Sequence, residues 1–357
     1  MMIDKQKPKF QISSIDHLLP FILKPNNIAQ FKPDAEGPKV MIGNRSVYPL
    51  EQSFVTCRTV EAVAQAIEQM VTQGAGPWQA AVCALALAGH EARGLNKEDA
   101  WRHLQQAQAR LVATRPTNTA MARRLEAVMG VARNTLEAGA PLDQAITHWL
   151  AETRRQIYAH YAQRGRFGSQ LIEDGDGVLT MCFAEASFIL TLAMAWEDGK
   201  RFHVYVPETR PFLQGAKLTA PSIHELGIPV TLMGDNMASG LMAEGKIQKY
   251  FTAADLITVD GHVVNKVGTF QHAIAARYHN IPYYAFAWGL DPTRPDRDSI
   301  EIEMRNPHEI KTFKGHPTTH PEINAIYPAF DITPPELVTG IVTKHGVVRP
   351  DEFGRYR

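Results

Sequence analysis

The chain has 357 residues, of which 45% are hydrophobic, a length and composition suited to two domains with sizeable cores. Lys+Arg (37) balances Asp+Glu (37), which argues against nucleic acid or an anionic membrane surface as partner. Cys57, Cys83 and Cys182 lie far apart with no C-x-x-C pair, the N-terminus lacks a signal-peptide core, and no run approaches the ~18 apolar residues of a membrane span; zinc, redox and membrane classes recede, and a cytoplasmic location is expected.

Residues 1 to about 36, rich in Pro and Lys, form an irregular lead-in. The Gly43-Asn44 pair between Val40-Met-Ile and Ser46-Val-Tyr predicts a small hairpin. From Thr59 to about His160 the pattern is helical. Val60, Val63, Ala64, Ile67 and Met70 share one face, Ala80 to Gly89 is apolar all round, and Asn96 caps a helix whose first turn holds Glu98 and Asp99. Arg154, Arg155, Arg164 and Arg166 read as a solvated helix face. Gly165, Gly168, Gly175 and Gly177 suggest a boundary, giving a mainly helical domain over 1–165 with its small β lead-in and a second domain over 178–357.

The second domain alternates strand and helix. Val178-Leu-Thr-Met-Cys182, His203-Val-Tyr-Val-Pro207, Pro229-Val-Thr-Leu-Met233 and Leu256-Ile-Thr-Val-Asp260 are short β-rich runs separated by segments of helical length. The expected fold is therefore α/β, a helical domain followed by a Rossmann-like parallel sheet. Residues 291–321 form long loops, and Asp331-Ile-Thr-Pro-Pro-Glu336 predicts a helix start. In open parallel sheets ligands bind beyond the carboxyl ends of the strands. Those ends carry Cys182, Glu208 with Arg210, Asp235 with Asn236, and Asp260 with Asn265.

Cys182 precedes a helix whose positive end favours thiolate, although a buried cysteine is as often an inert hydrophobe. Asp235 can cap the next helix or, with Cys182, shuttle a proton between adjacent carbons. Arg115, held out of helix by Pro116, suits an anion or an ordinary ion pair. Gly74-Ala-Gly76 can offer backbone N–H groups to phosphate. There is no G-x-G-x-x-G fingerprint, P-loop or zinc spacing, so no cofactor or metal is expected.

Val206-Pro-Glu-Thr-Arg-Pro-Phe-Leu-Gln-Gly-Ala-Lys-Leu-Thr219, Gly234-Asp-Asn-Met-Ala238, Asp260-Gly-His-Val-Val-Asn-Lys-Val-Gly-Thr269 and Pro328-Ala-Phe-Asp-Ile-Thr-Pro-Pro-Glu-Leu337 together resemble the methylthioribose-1-phosphate isomerases. Their superfamily includes ribose-1,5-bisphosphate isomerases and regulatory subunits of a translation initiation guanine-nucleotide exchange factor. The likeness runs from about Arg58 to Val347. It implies Cys182 and Asp235 as catalytic residues, Arg115 as a phosphate ligand, and Gln73, Gly74, Ala75, Gln214, Asn265 and Lys266 as substrate contacts. It also implies a homodimer paired through the carboxyl-terminal domain. Two positions depart from the pattern. The family's Arg-Gly-Ala-Pro is Gln73-Gly-Ala-Gly-Pro77, and its Cys-Asn-x-Gly is Cys182-Phe-Ala-Glu185. Glu185 is thus expected at the pocket, with Lys266 or Arg210 as its cation and a role in substrate choice.

The implied activity converts an aldose 1-phosphate, 5-methylthioribose 1-phosphate or a 5-deoxypentose 1-phosphate, to the 1-phosphoketose by proton transfer between C2 and C1. The alternative is a non-catalytic regulatory protein that binds a sugar phosphate or nucleotide.

Overall fold

The computed structural model describes residues 10–34, 36–115, 119–183 and 185–355, leaving out the side chains of residues 119–120. The chain divides into two compact units, Met1–Ala159 and His160–Arg357.

In the first unit the helix Gly76–Glu91 is buried along its length as far as Gly89. Its residues are apolar on every face, so neighbours surround it: helices Val60–Glu68, Lys97–Ala113 and Thr119–Glu137, and the strands Ala29–Asp34 and Gly37–Gly43. Thr59 caps the first of these by accepting the Ala62 N–H (3.1 Å), and Asn96 caps the second through the Asp99 N–H (2.9 Å). Ala29–Asp34, Gly37–Gly43 and Phe54–Cys57 form an antiparallel sheet. The expected hairpin about Gly43-Asn44 is therefore displaced: Gly43 ends a strand. A Cβ there would stand 1.9 Å from the Asn27 carbonyl oxygen, so close backbone approach, not a tight turn, demands this glycine.

Two of the four arginines read as a solvated face are buried. Arg154 donates to Gln79 Oε1 (2.7 Å) and the Ala29 carbonyl (2.6 Å). Arg164, 1% exposed, lies over the Trp288 ring at 4.3 Å and donates to the Ala287 carbonyl. Arg155 and Arg166 do pair outside, with Glu152 and Asp198. Gly165 and Gly168 also lie within the helix Leu142–Ser169. Added Cβ atoms would meet Leu190 Cβ at 2.8 Å and Thr191 Oγ1 at 2.3 Å, so these glycines let two helices touch.

The second unit is mixed α/β, built on a seven-stranded, mostly parallel sheet. From edge to edge its strands are Gly346–Val348, Gly340–Thr343, Tyr283–Phe286, Lys249–Ala253, Gly177–Leu179, His203–Pro207 and Val230–Met233. Only Gly346–Val348 runs antiparallel to its neighbour. Two expectations change here. Leu256–Ile257 leaves the main sheet and pairs with Val263–Lys266, which also pairs with Phe330–Thr333, in a small antiparallel sheet. Residues 331–342 start no α-helix: a strand, the short turn Pro335–Leu337 and the β-branched strand Gly340–Thr343 follow one another.

Candidate active site

The order of the main sheet locates the crevice. Gly177–Leu179, His203–Pro207 and Val230–Met233 step toward one edge, whereas Lys249–Ala253, Tyr283–Phe286 and Gly340–Thr343 step toward the other. The order reverses between Gly177–Leu179 and Lys249–Ala253, the place where such sheets open a binding crevice. Cys182 follows the first of these strands and Asp255 the second. Leu179 is level with Tyr250 in the parallel register, so the two residues leave adjacent strands at the same edge. Asp235 follows Val230–Met233, two strands from Cys182, a lateral step of about 10 Å.

Cys182 has a left-handed backbone (φ 63°), which turns the chain sharply off the strand. Burial works against the expected thiolate. Burial pushes the Cys182 thiol up to about 11, and Lys266 only partly offsets this. Asp255 is an exposed residue, yet protein packed around its carboxyl pushes it up to about 6 against the opposing pull of Lys266 and Arg305. At neutral pH a protonated thiol therefore faces the field of an ionised carboxylate. Lys266 is 5% exposed, its pKa lowered by burial, with its ammonium 4.9 Å from the Phe330 ring.

Asp235 is anchored at both carboxylate oxygens. Its Oδ1 accepts the Thr209 N–H (2.6 Å) and its Oδ2 the Arg210 N–H (2.7 Å). These bonds hold a turn in which Thr209 (φ 64°) and Leu213 (φ 62°) are both left-handed, a costly arrangement for side chains with a Cβ. The turn delivers Gln214, whose Oε1 is buried with no hydrogen-bond partner among the described residues. Asn265, also buried, donates to Thr269 Oγ1 (3.1 Å).

In the first unit, the turn Gln73-Gly74-Ala75 closes through the Gly76 N–H to the Gln73 carbonyl (3.0 Å) and opens the helix Gly76–Glu91 at its positive end. Arg45, 4% exposed, donates to the Gln73 carbonyl and to that of Ile22. A guanidinium thus backs the loop although position 73 carries none. Arg115 donates to the Ile67 carbonyl (3.0 Å) and to Met70 Sδ; its neighbours 116–118 lie outside the described residues.

The profile of the initiation factor 2 subunit family matches residues 73–350. A methylthioribose-1-phosphate isomerase of Roseiflexus castenholzii is 39% identical over 88% of this chain and 93% of its own. A 5-deoxyribose 1-phosphate isomerase of Moorella thermoacetica is 37% identical over 86% of this chain and 91% of its own. Among solved structures, 5-methylthioribose 1-phosphate isomerase from Pyrococcus horikoshii OT3 matches with a TM-score of 0.82 at 29% identity, over 93% of this chain and 96% of that one. The delta subunit of translation initiation factor eIF-2B from A. fulgidus matches with 0.81 at 29% identity, over 91% and 97%. The chain belongs to the methylthioribose-1-phosphate isomerase family.

Within that family pattern Glu185 takes the place of a glycine, and the backbone explains why glycine suits it: φ is 49°. Burial raises the Glu185 pKa, with Arg164 opposing it and a hydrogen bond from Tyr161 helping to hold the charge. The cation beside Glu185 is therefore Arg164, not the expected Lys266 or Arg210. Arg210 turns to the Thr312 carbonyl (3.1 Å) and the Phe313 ring.

The sequence pattern of this isomerase-family chain singles out neither Asp255, Arg305 nor Tyr327, all of which interact electrostatically with Cys182. For Asp255 a signal was present. Lys249-Tyr-Phe-Thr-Ala253 is a β-rich run followed by a carboxylate, but Leu256-Ile-Thr-Val259 looked the stronger strand. Arg305 and Tyr327 lie in or beside the loop region 291–328, where no periodicity marks a side chain's direction.

Proposed function

We propose that this chain is an aldose-ketose isomerase that converts a 5-substituted ribose 1-phosphate, 5-methylthioribose 1-phosphate or a 5-deoxypentose 1-phosphate, to the 1-phosphoketose. The observation that carries this is a neutral thiol and an ionised carboxylate, Cys182 and Asp255, on neighbouring strand ends at the reversal of the sheet. Kinship with enzymes bearing those names supports the substrate class.

Chemistry follows from the protonation states. An aldose 1-phosphate cannot open unaided, because its anomeric oxygen carries the phosphate. Cys182 gives its proton to the ring oxygen, the C1–O4 bond breaks, and the thiolate remains near Lys266. Asp255 takes the C2 proton, leaving a phosphoenol between C1 and C2. Asp255 then returns its proton to C1 while the thiolate takes the proton of the C2 hydroxyl, and C2=O forms. Both groups end as they began, and no electron leaves the substrate. This scheme gives Asp255 the role that the family resemblance implies for Asp235, whose carboxylate accepts the Thr209 and Arg210 N–H groups. Gln214, Asn265 and Lys266 serve as contacts to the sugar, and Arg115 with Gln73, Gly74 and Ala75 as the phosphate ligands, each within its own unit. The active form is a cytoplasmic homodimer paired through His160–Arg357.

A coupled assay for ketose 1-phosphate, run over a panel of 5-substituted ribose 1-phosphates, tests the reading. Turnover of at least one is expected. Tight binding of one with turnover of none would favour the regulatory alternative.

A further inference from the structure

Arg305 and Tyr327 stand close to Cys182 and have no task in the scheme above. Residues 303–305 are extended and pair antiparallel with 327–329. The Ala329 N–H donates to the Glu303 carbonyl (2.8 Å), Met304 bridges Pro328, and the Arg305 N–H donates to the Tyr327 carbonyl (2.8 Å). The Val267 N–H in turn donates to the Ala329 carbonyl (3.2 Å). Arg305 is thereby joined to the small sheet that carries Lys266.

Two neighbours fix the guanidinium. Its Nε donates to Glu303 Oε1 (3.0 Å), and its centre lies 5.2 Å from the Phe212 ring, which packs at 6.4 Å from the Tyr327 ring. Nε is thus committed, while a quarter of the side chain (25%) stays open to solvent. Tyr327 is 2% exposed, and its hydroxyl lies beside the Arg305 guanidinium, close enough for the two to interact but without full hydrogen-bond geometry. A buried hydroxyl held beside a cation without a well-formed hydrogen bond retains capacity for a further partner. Both residues act on Cys182 electrostatically, and Arg305 also on Asp255 and Lys266.

We propose that Arg305 and Tyr327 form a donor subsite for the sugar oxygen on the carbon that becomes the ketone. This rests on the isomerase reading. In the last step the C2 O–H bond breaks and an S–H bond forms at Cys182, so negative charge passes between thiolate and oxygen. A fixed cation and a neutral hydroxyl donor beside both atoms stabilise that charge throughout. Burial raises the Tyr327 pKa, so its proton stays available for donation.

The test compares wild type with Tyr327→Phe, Arg305→Lys and Arg305→Met. It follows kcat and KM on 5-deoxyribose 1-phosphate, and the pH dependence of Cys182 alkylation by iodoacetamide, read at its own peptide by mass spectrometry. Tyr327→Phe should lose about 10²-fold in kcat, with KM little changed. Arg305→Met should lose more and displace the alkylation curve to higher pH. Arg305→Lys keeps the charge without the fork and should fall between. Should Arg305→Met fail to fold, the other two variants decide. Active wild type, with all folded variants at wild-type kcat and an unmoved alkylation curve, overturns the subsite alone. Wild type inert on every aldose 1-phosphate overturns the isomerase reading and the subsite with it.

Discussion

Asp235 and Asp255 each lie two residues past a strand, in different surroundings. Asp235 spends both oxygens on backbone N–H groups. Asp235→Asn leaves one of those N–H groups facing an amide donor, so stability should fall by about 1–3 kcal/mol and activity with it as Gln214 shifts. Asp255 should behave in the reverse way. Its folded pKa, about 6, is raised above the usual 3.8. Its contribution to stability is therefore full below about pH 3.8 and is lost as pH rises through 6. Asp255→Asn should remove about 10²–10⁴-fold of turnover without lowering the thermal midpoint at pH 7. Wild-type kcat/KM should fall below about pH 6 as the carboxylate takes up a proton. A pH profile flat from 5 to 8 would contradict this assignment. Glu185 combines a left-handed backbone with a buried acid. Glu185→Gly should keep or raise the thermal midpoint and change the ranking of substrates in the 5-substituted panel; an unchanged ranking would make Glu185 a helix-end charge only.

At the scale of elements, glycine placement separates contact from linkage. Gly165 and Gly168 lie in the helix Leu142–Ser169 against Leu190 and Thr191. Gly168→Ala should cost about 1–3 kcal/mol, because its Cβ meets Thr191 Oγ1 and the helices must part. Gly130 is also helical but has open space around its Cβ position. Gly130→Ala should instead stabilise by about 0.5–1 kcal/mol, since alanine suits a helix interior better. Chemical denaturation of the two variants reads both signs, and equal effects would refute the contact explanation. The same logic explains why Gly165 and Gly168 sit in a helix and not in the linker. A helix that needs bare backbone for packing and a loop that needs freedom use the same residue.

At the scale of the molecule, the parallel sheet and the reactive strand ends were legible because β-branched runs ending in polar residues have few other uses. The order of the strands was not, since no local pattern tells Lys249–Ala253 from Leu256–Ile257 as the sheet member. Which aspartate is proposed to work with Cys182 depended on that choice. Buried Arg164 was hidden for a related reason: its cost is offset by the Trp288 ring and a carbonyl far along the chain. The sheet also predicts how the chain assembles. Val230–Met233 is an edge strand, and Leu232 on it is 50% exposed, with Met237 just beyond at 56%. The helix Thr269–Tyr278 packs against Ala238–Ala243 and exposes Ile274 and Tyr278 at 50% and 80%. An edge strand flanked by large apolar side chains is a liability for a chain that stays alone. The homodimer proposed for this chain should cover that region. Light scattering at micromolar concentration should give twice the 39.7 kDa chain mass, and Leu232→Lys combined with Met237→Lys should shift the population to monomer without lowering helix content. A wild-type monomer at that concentration would remove the dimer, and a dimer untouched by both lysines would move its interface elsewhere.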